Sequence, residues 1–122
     1  MLKLKTKWFN KWSKKNSIKD DKLIKTLSSM SDNLGTVNLG NGLYKVRIPR
    51  DLEGKSGGYR SIVVLKQNEL AVFVYGFAKN EKDNLDKDEL KYFKKLAKDL
   101  IRIEIKQYEE LIQSRVFFNI EE

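Results

Sequence analysis

The sequence contains no cysteine and no histidine, and these two absences exclude several kinds of site. Without cysteine there is no disulfide framework and no thiol nucleophile. Without histidine there is no imidazole to act as a general acid or base, and zinc sites built from His or Cys are excluded. Any catalysis must therefore rely on lysine, arginine, tyrosine, serine or carboxylate side chains.

Long apolar runs and prolines are also scarce. No apolar run approaches the ~20 residues of a membrane span, and the lysine-rich start lacks the apolar region and cleavage site of a signal peptide. With one proline and 40% hydrophobic residues, the 122-residue chain should fold as a globule and not as a disordered arm. We therefore expect a soluble cytoplasmic protein with a single domain over residues 1–122 and no membrane partner.

The net charge of +8 is unevenly distributed along the chain. Residues 1–66 carry 15 Lys and Arg against 5 Asp and Glu, whereas residues 67–122 carry 10 against 12. This asymmetry favours an anionic partner on one side of the domain. An A+T-biased genome, which favours lysine at polar positions, could explain many helix lysines, but it accounts less readily for the arginines at 47, 50 and 60.

Hydrophobic periodicity predicts an α+β fold. A short first strand at Met1–Lys5 precedes a helix that Thr6 caps and that runs to about Lys15. Ser17 or Asp20 caps a second helix, with an apolar stripe at Leu23, Ile24, Leu27 and Met30. Strands follow at 43–48, 59–66 and 70–77, then a capping box at 86–89, a helix to about 102, a short helix near 104–113 and an apolar segment at 116–120. We expect the basic strand residues on an open face of the sheet and the helices on the other face.

A group of cations surrounds the glycine-rich segment after the 43–48 strand. It comprises Lys45, Arg47, Arg50, Lys55 and Arg60, with Tyr44 and Tyr59 expected beside them. Lys79 and Asn80 follow the last long strand and can add to the same surface. Cationic donors and aromatic faces on neighbouring strands suit a phosphodiester and its bases, so the pattern predicts nucleic-acid binding.

RNA also offers a reaction that needs neither imidazole nor metal, because its 2′-OH can attack the adjacent phosphate. Lys45 and Lys79 are the candidate proton-transfer groups, and Arg47 and Arg60 can hold the phosphate with forked donors. The alternative is that Lys45 and Arg47 are only solvated surface residues and that Tyr59 and Tyr75 are core residues with a polar tip. The carboxylates at 81, 83 and 86 fit a helix-entry loop better than a metal site, and the loop at 54–58 lacks the spacing of a nucleotide-binding loop.

Five segments give the chain a resemblance to RelE/HigB-type toxins of bacterial type II toxin–antitoxin modules. They are KTKWFNKW at 5–12, LGNGLYKVRIPR at 39–50, GKSGGYRSIVV at 54–64, FVYGFAKNEKDNL at 73–85 and DELKYFKKLAKDL at 88–100. The resemblance implies a compact sandwich in which two N-terminal helices pack on a twisted antiparallel sheet of three to four strands, followed by C-terminal helices. It also implies an endoribonuclease that cuts messenger RNA in the ribosomal A site without a metal or cofactor.

By the same resemblance, the catalytic positions are Lys45, Arg47, Arg60 and Lys79. Tyr44, Arg50, Lys55, Tyr59 and Asn80 are the expected RNA-binding residues, and the general base is left open. The implied partners are messenger RNA, the ribosome and a cognate antitoxin with a helix-turn-helix DNA-binding domain, so that DNA is contacted only through the antitoxin complex. Two alternatives stay open: a non-catalytic RNA- or ribosome-binding module, and a gyrase-inhibiting toxin of the related ParE branch.

Overall fold

The computed structural model describes residues 1–32, 35–48 and 58–121, and it confirms the α+β fold. In chain order the elements are β1 (Leu2–Thr6), α1 (Lys7–Lys15), α2 (Asp20–Ser29), a 3₁₀ turn (Met30–Asp32), β2 (Thr36–Gly40), β3 (Leu43–Ile48), β4 (Tyr59–Lys66), β5 (Leu70–Ala78), α3 (Lys87–Arg102), α4 (Gln107–Gln113) and β6 (Phe117–Asn119).

The sheet is larger than the three or four antiparallel strands predicted from the sequence. Within the described residues it has six strands in the order β2-β3-β4-β5-β1-β6. The pair β1–β5 is parallel and every other pair is antiparallel. The additional strands are β2 and the apolar C-terminal segment, which forms β6, whereas the predicted first strand is present as β1 and lies inside the sheet.

Both faces of the sheet are covered by apolar clusters, an arrangement that is typical of strands with uninterrupted apolar runs such as β4 and β5. On one face, α1 and α2 contribute Phe9 and Leu23 to a cluster with the strand residues Val46, Ile48 and Val63. On the other face, α3 packs on the sheet through the buried residues Phe93, Ala97 and Leu100, against Leu43, Ile62 and Val64. The expectation of an open basic face is therefore wrong, because α3 covers part of the face to which Leu43 and Ile62 belong.

Helix α1 begins where the sequence predicts. The Thr6 hydroxyl accepts a hydrogen bond from the Phe9 backbone N–H at 3.1 Å, which satisfies one of the free donors of the first turn. The Trp12 ring lies against the backbone of Gly76 in β5, where a Cβ atom would come within 2.4 Å of the ring. Glycine is required at position 76 because the indole occupies the space of a side chain.

The predicted caps of α2 are wrong. Lys19 precedes the first turn and makes no side-chain cap, and Ser17 lies outside the helix with φ 56°. Asp20 instead accepts a hydrogen bond at 2.7 Å from the ammonium of Lys5, whose side chain is only 8% exposed. Its second oxygen accepts the Glu121 backbone N–H at 2.8 Å. One carboxylate thus ties the start of α2 to β1 and to the end of the chain.

The capping box of α3 is present as predicted, with Asp86 and Glu89 exchanging side-chain to backbone hydrogen bonds. After α3, the buried Tyr108 of α4 donates its hydroxyl to the Leu100 carbonyl at 2.7 Å. Burial raises the pKa of Tyr108 to about 12, so the phenol stays protonated.

No helix in the described ranges has the length and apolar character to cross a membrane.

We expect Asp20→Asn to lower the free energy of unfolding by about 3 kcal/mol, because it leaves the buried ammonium of Lys5 without its counter-charge. Asp21→Asn is the matched control. Asp21 is exposed in the same helical turn, and the change there should stay within about 0.5 kcal/mol. Urea denaturation of both variants measures the difference, and equal stabilities would contradict the structural role of the ion pair.

Candidate nucleic-acid interface

Two arginines lie opposite each other near the end of the β3–β4 ladder at which β3 ends and β4 begins. The register pairs Arg47 with Arg60 and places Lys45 opposite Ile62. Side chains alternate along a strand, so Lys45, Arg47 and Arg60 share the face of Leu43 and Ile62, on which α3 packs. Directly opposed like charges destabilise a sheet, and an anion between them would relieve the repulsion.

Arg60 is the more buried member of the pair. Among the described residues, its Nη1 atom is buried and has no hydrogen-bond acceptor. Burial, and secondarily the charge of Arg47, lower the pKa of Arg60, while the carboxylate of Asp83 acts in the opposite direction. An unsatisfied buried donor costs about 1–3 kcal/mol, so this guanidinium is suited to a ligand that supplies an acceptor.

The segment that joins β5 to α3 reaches over the cations. Lys45 donates a hydrogen bond from its ammonium to the Asn84 side-chain oxygen, and the next residue back, Asp83, is the carboxylate whose charge acts on Arg60. The segment therefore crosses from β5, past β4, to the side chains of β3. We call residues 79–86 the crossing loop.

The crossing loop is held at both ends. The Ala78 carbonyl accepts hydrogen bonds from the backbone N–H groups of Glu81 and Lys82, at 3.0 and 3.3 Å. At the other end Lys82 forms an ion pair with Glu89 in the first turn of α3. These contacts fix the position of Asp83 and Asn84 next to the cations. In the described part of the chain, no three His, Cys, Asp or Glu side chains are grouped so that they could hold a metal ion.

Lys79 lies next to the arginines along the ladder. Its backbone N–H donates to the Gly58 carbonyl at 3.0 Å, so the β4–β5 pairing continues one residue beyond β5. Alternation from Phe77, which pairs with Arg60, places Lys79 on the arginine face. Lys79 and Asn80 are both exposed in the turn. The structure thus brings Lys45, Arg47, Arg60 and Lys79 to one face.

The tyrosines predicted to lie beside these cations lie on the opposite face. Tyr59 pairs with Ile48 and packs edge-on against Trp12 of α1, with ring centroids 5.5 Å apart. Tyr44 packs with the same apolar cluster. The spatial part of the prediction is wrong because Tyr44 alternates with Lys45, and Tyr59 with Arg60. Arg50 and Lys55 lie outside the described residues.

A partly buried cluster beside the arginine face escapes sequence reasoning. Tyr75 donates its hydroxyl to Glu89 at 3.1 Å, and the Lys82 ammonium lies over the rings of Tyr75 and Phe77 at 5.7 and 5.5 Å. Burial and the hydrogen bond to Glu89 raise the pKa of Tyr75, while the hydrogen bond from Lys82 lowers the pKa of Glu89. The capping-box pattern identifies Glu89 only as a cap, and no sequence spacing links it to Tyr75.

Comparison with protein families gives one finding that covers almost the whole chain. Residues 1–120 match the family model described as the RelE toxin of the RelE/RelB toxin–antitoxin system. Comparison with curated proteins gives no match.

We expect inorganic sulfate to raise the melting temperature more than chloride does at equal ionic strength. A divalent anion can accept a hydrogen bond from Arg60 and reduce the repulsion between the Arg47 and Arg60 charges. At a hundred times the dissociation constant, such binding adds about 2.7 kcal/mol to stability. Arg60→Gln should abolish the sulfate-specific rise. Arg102→Gln, at an exposed arginine of α3, should keep it, and loss in both variants would contradict a local site.

We expect Asp83→Asn to tighten binding of a single-stranded oligonucleotide about two- to fivefold, because the change removes a carboxylate that competes with phosphate for Arg60. Fluorescence anisotropy at fixed salt measures the affinity. Asp99→Asn makes the same change in net charge at an exposed position of α3. An equal gain in that control would show that net charge, and not the crossing loop, sets the affinity.

Proposed function

Because the chain belongs to the RelE family of toxins from toxin–antitoxin systems, we propose that it is a metal-independent endoribonuclease that cleaves messenger RNA in the ribosomal A site. The observation that carries the proposal is the Arg47–Arg60 pair, in which Nη1 of Arg60 has no acceptor among the residues that the structure describes. A scissile phosphate provides both the negative charge and the acceptor oxygens that this pair requires.

In the proposed reaction, the 2′-oxygen of the ribose forms a bond to the adjacent phosphorus while the bond from phosphorus to the 5′-oxygen breaks. The products are a 2′,3′-cyclic phosphate and a free 5′-hydroxyl. Arg47 and Arg60 stabilise the additional charge on the phosphoryl oxygens in the transition state. Donors of this kind contribute about 10²–10³-fold each to the rate.

Two protons must also move, and Lys45 and Lys79 are the proposed groups. One takes the proton of the 2′-hydroxyl, and the other delivers a proton to the departing 5′-oxygen. Lys45 is held by its hydrogen bond to Asn84, whereas Lys79 is exposed in the turn after β5. Asn80 is proposed to contact the RNA next to Lys79, and Arg50 and Lys55 are proposed to contact it from the segment between β3 and β4.

A toxin of this family acts with an antitoxin partner. We propose that the antitoxin carries a helix-turn-helix DNA-binding domain and an acidic segment that covers the arginine face, because such a segment would compete with phosphate for the same donors. The proposal places the toxin in the cytoplasm, where ribosomes and messages are found.

We expect Arg60→Ala to reduce cleavage by about 10²–10³-fold while much of the affinity for ribosomes is retained, because the ribosome is held by a larger surface than one phosphate. Primer extension on ribosomes translating a defined message locates the cuts, and co-sedimentation measures binding. Arg102→Ala, which removes the same charge from α3, should cleave like the wild type.

Three results would contradict the proposal. Absence of new 5′ ends in A-site codons, with ribosome binding intact, would identify a non-catalytic binding module. Breaks in DNA with intact message would identify a gyrase-directed toxin. Full cleavage by Arg60→Ala would show that the reaction takes place elsewhere on the molecule.

A further inference from the structure

The side chain of Trp8 on α1 is exposed, although it is large and aromatic. Trp8 is 46% exposed, whereas Trp12, one turn later, is half-buried against Gly76 and Tyr59. Tryptophan is strongly buried on average in folded proteins. A single exposed aromatic is common, so the surroundings of the Trp8 ring decide whether it has a function.

The Trp8 ring is held in place by other rings. It stacks on Trp12 with centroids 6.1 Å apart and an interplanar angle of 14°, and it lies 4.8 Å from the Tyr75 ring. Tyr75 is fixed in turn by Phe93 at 5.0 Å and by its hydrogen bond to Glu89. A ring that is ordered before binding loses little conformational freedom when a ligand stacks on it.

The helix around Trp8 is entirely cationic at its charged positions. Lys7, Lys11, Lys14 and Lys15 are exposed, and α1 contains no acidic residue. None of these lysines forms an ion pair with another described residue. Lys7, Lys11 and Lys15 recur every four residues, so they lie along one side of the helix, next to the row formed by Trp8 and Trp12.

The row of rings leads from Trp8 to the arginine face. Phe77 pairs with Arg60 in the β4–β5 ladder, and its ring lies 6.0 Å from the ring of Tyr75. One further step of 4.8 Å leads from Tyr75 to Trp8. An RNA strand whose phosphate lies between Arg47 and Arg60 can therefore reach Trp8 within a few nucleotides.

We propose that Trp8, with Lys7 and Lys11, forms a base-stacking subsite for the single-stranded RNA that flanks the cleaved bond. An exposed ring beside unpaired cations is the combination that binds a base and its phosphates together. A protein helix would instead need several apolar anchors at helical spacing, whereas Trp8 is the one exposed large apolar side chain of α1. The inference rests on the proposed function and extends it to residues outside the arginine face.

A binding assay with RNA that cannot be cut tests the subsite separately from the reaction. The probe is a fluorescein-labelled oligoribonucleotide with 2′-O-methyl groups, which lack the attacking hydroxyl, and anisotropy gives the dissociation constant. We expect Trp8→Leu to weaken binding about five- to hundredfold, as loss of one stacked base does. Trp8→Phe keeps an aromatic face and should stay within about threefold of the wild type. Melting temperatures confirm that both variants are folded.

Two lysine variants, one at the subsite and one on α2, test whether charge contributes to RNA binding. Lys11→Gln should weaken binding and reduce the slope of log affinity against log salt by about 0.7. Lys25→Gln removes an exposed charge from α2 and should leave the slope near that of the wild type.

The outcomes separate this inference from the proposed function. If the wild type cleaves message and Trp8→Leu binds the probe as tightly as the wild type, the subsite is wrong and the nuclease proposal stands. If Trp8→Leu loses affinity for the antitoxin but not for the probe, the surface belongs to a protein partner and the subsite is wrong. If the wild type neither binds the probe nor cuts message, both proposals fail.

Discussion

The pairing register of β3 with β4 is the constraint on which the candidate site depends. It sets Arg47 opposite Arg60, and the ladder with β5 adds Phe77 and, one residue beyond the strand, Lys79. A shift of one residue would move one arginine to the face covered by α1 and α2. The register is fixed by apolar partners on both faces, so the repulsion between the arginines is maintained by the core that α3 and the N-terminal helices build around them.

A few carboxylates also lie near the arginine face. The crossing loop brings Asp83 near Arg60 and the Asn84 oxygen to Lys45, while Lys82 and Glu89 neutralise each other beside them. The cations are thus partly satisfied by neutral or distant groups, yet Arg60 Nη1 has no acceptor among the described residues. The nearby polar groups reduce the repulsion between the cations. Because Arg60 still lacks an acceptor among the described residues, the surface can still bind an anion such as a phosphate.

Local patterns in the sequence predict much of this fold, and long-range pairings account for what they miss. The Thr6 cap, the capping box of Asp86 and the bounds of β3 and β4 follow from residue types at short spacing. Sequence also selects the four cations that the structure brings to one face. The prediction for Tyr44 and Tyr59 is wrong because each directly precedes a cation in its strand, and adjacent strand residues point to opposite faces of the sheet. Sequence fails for the pairing of Lys5 with Asp20 and for the cluster of Tyr75 with Glu89, since only tertiary packing brings those residues together.

The position of β1 inside the sheet has a consequence for how the chain folds. Residues 2–5 pair with residues 70–73, and residues 4–6 pair with residues 117–119. Strand β1 therefore leaves the ribosome before either of its partners is synthesised, and forming contacts between such distant segments slows folding. The meander of β3, β4 and β5 can assemble earlier from local hairpins. Arg47 and Arg60 can thus be brought together in a nascent chain that is still bound to the ribosome, before β1 and β6 complete the sheet.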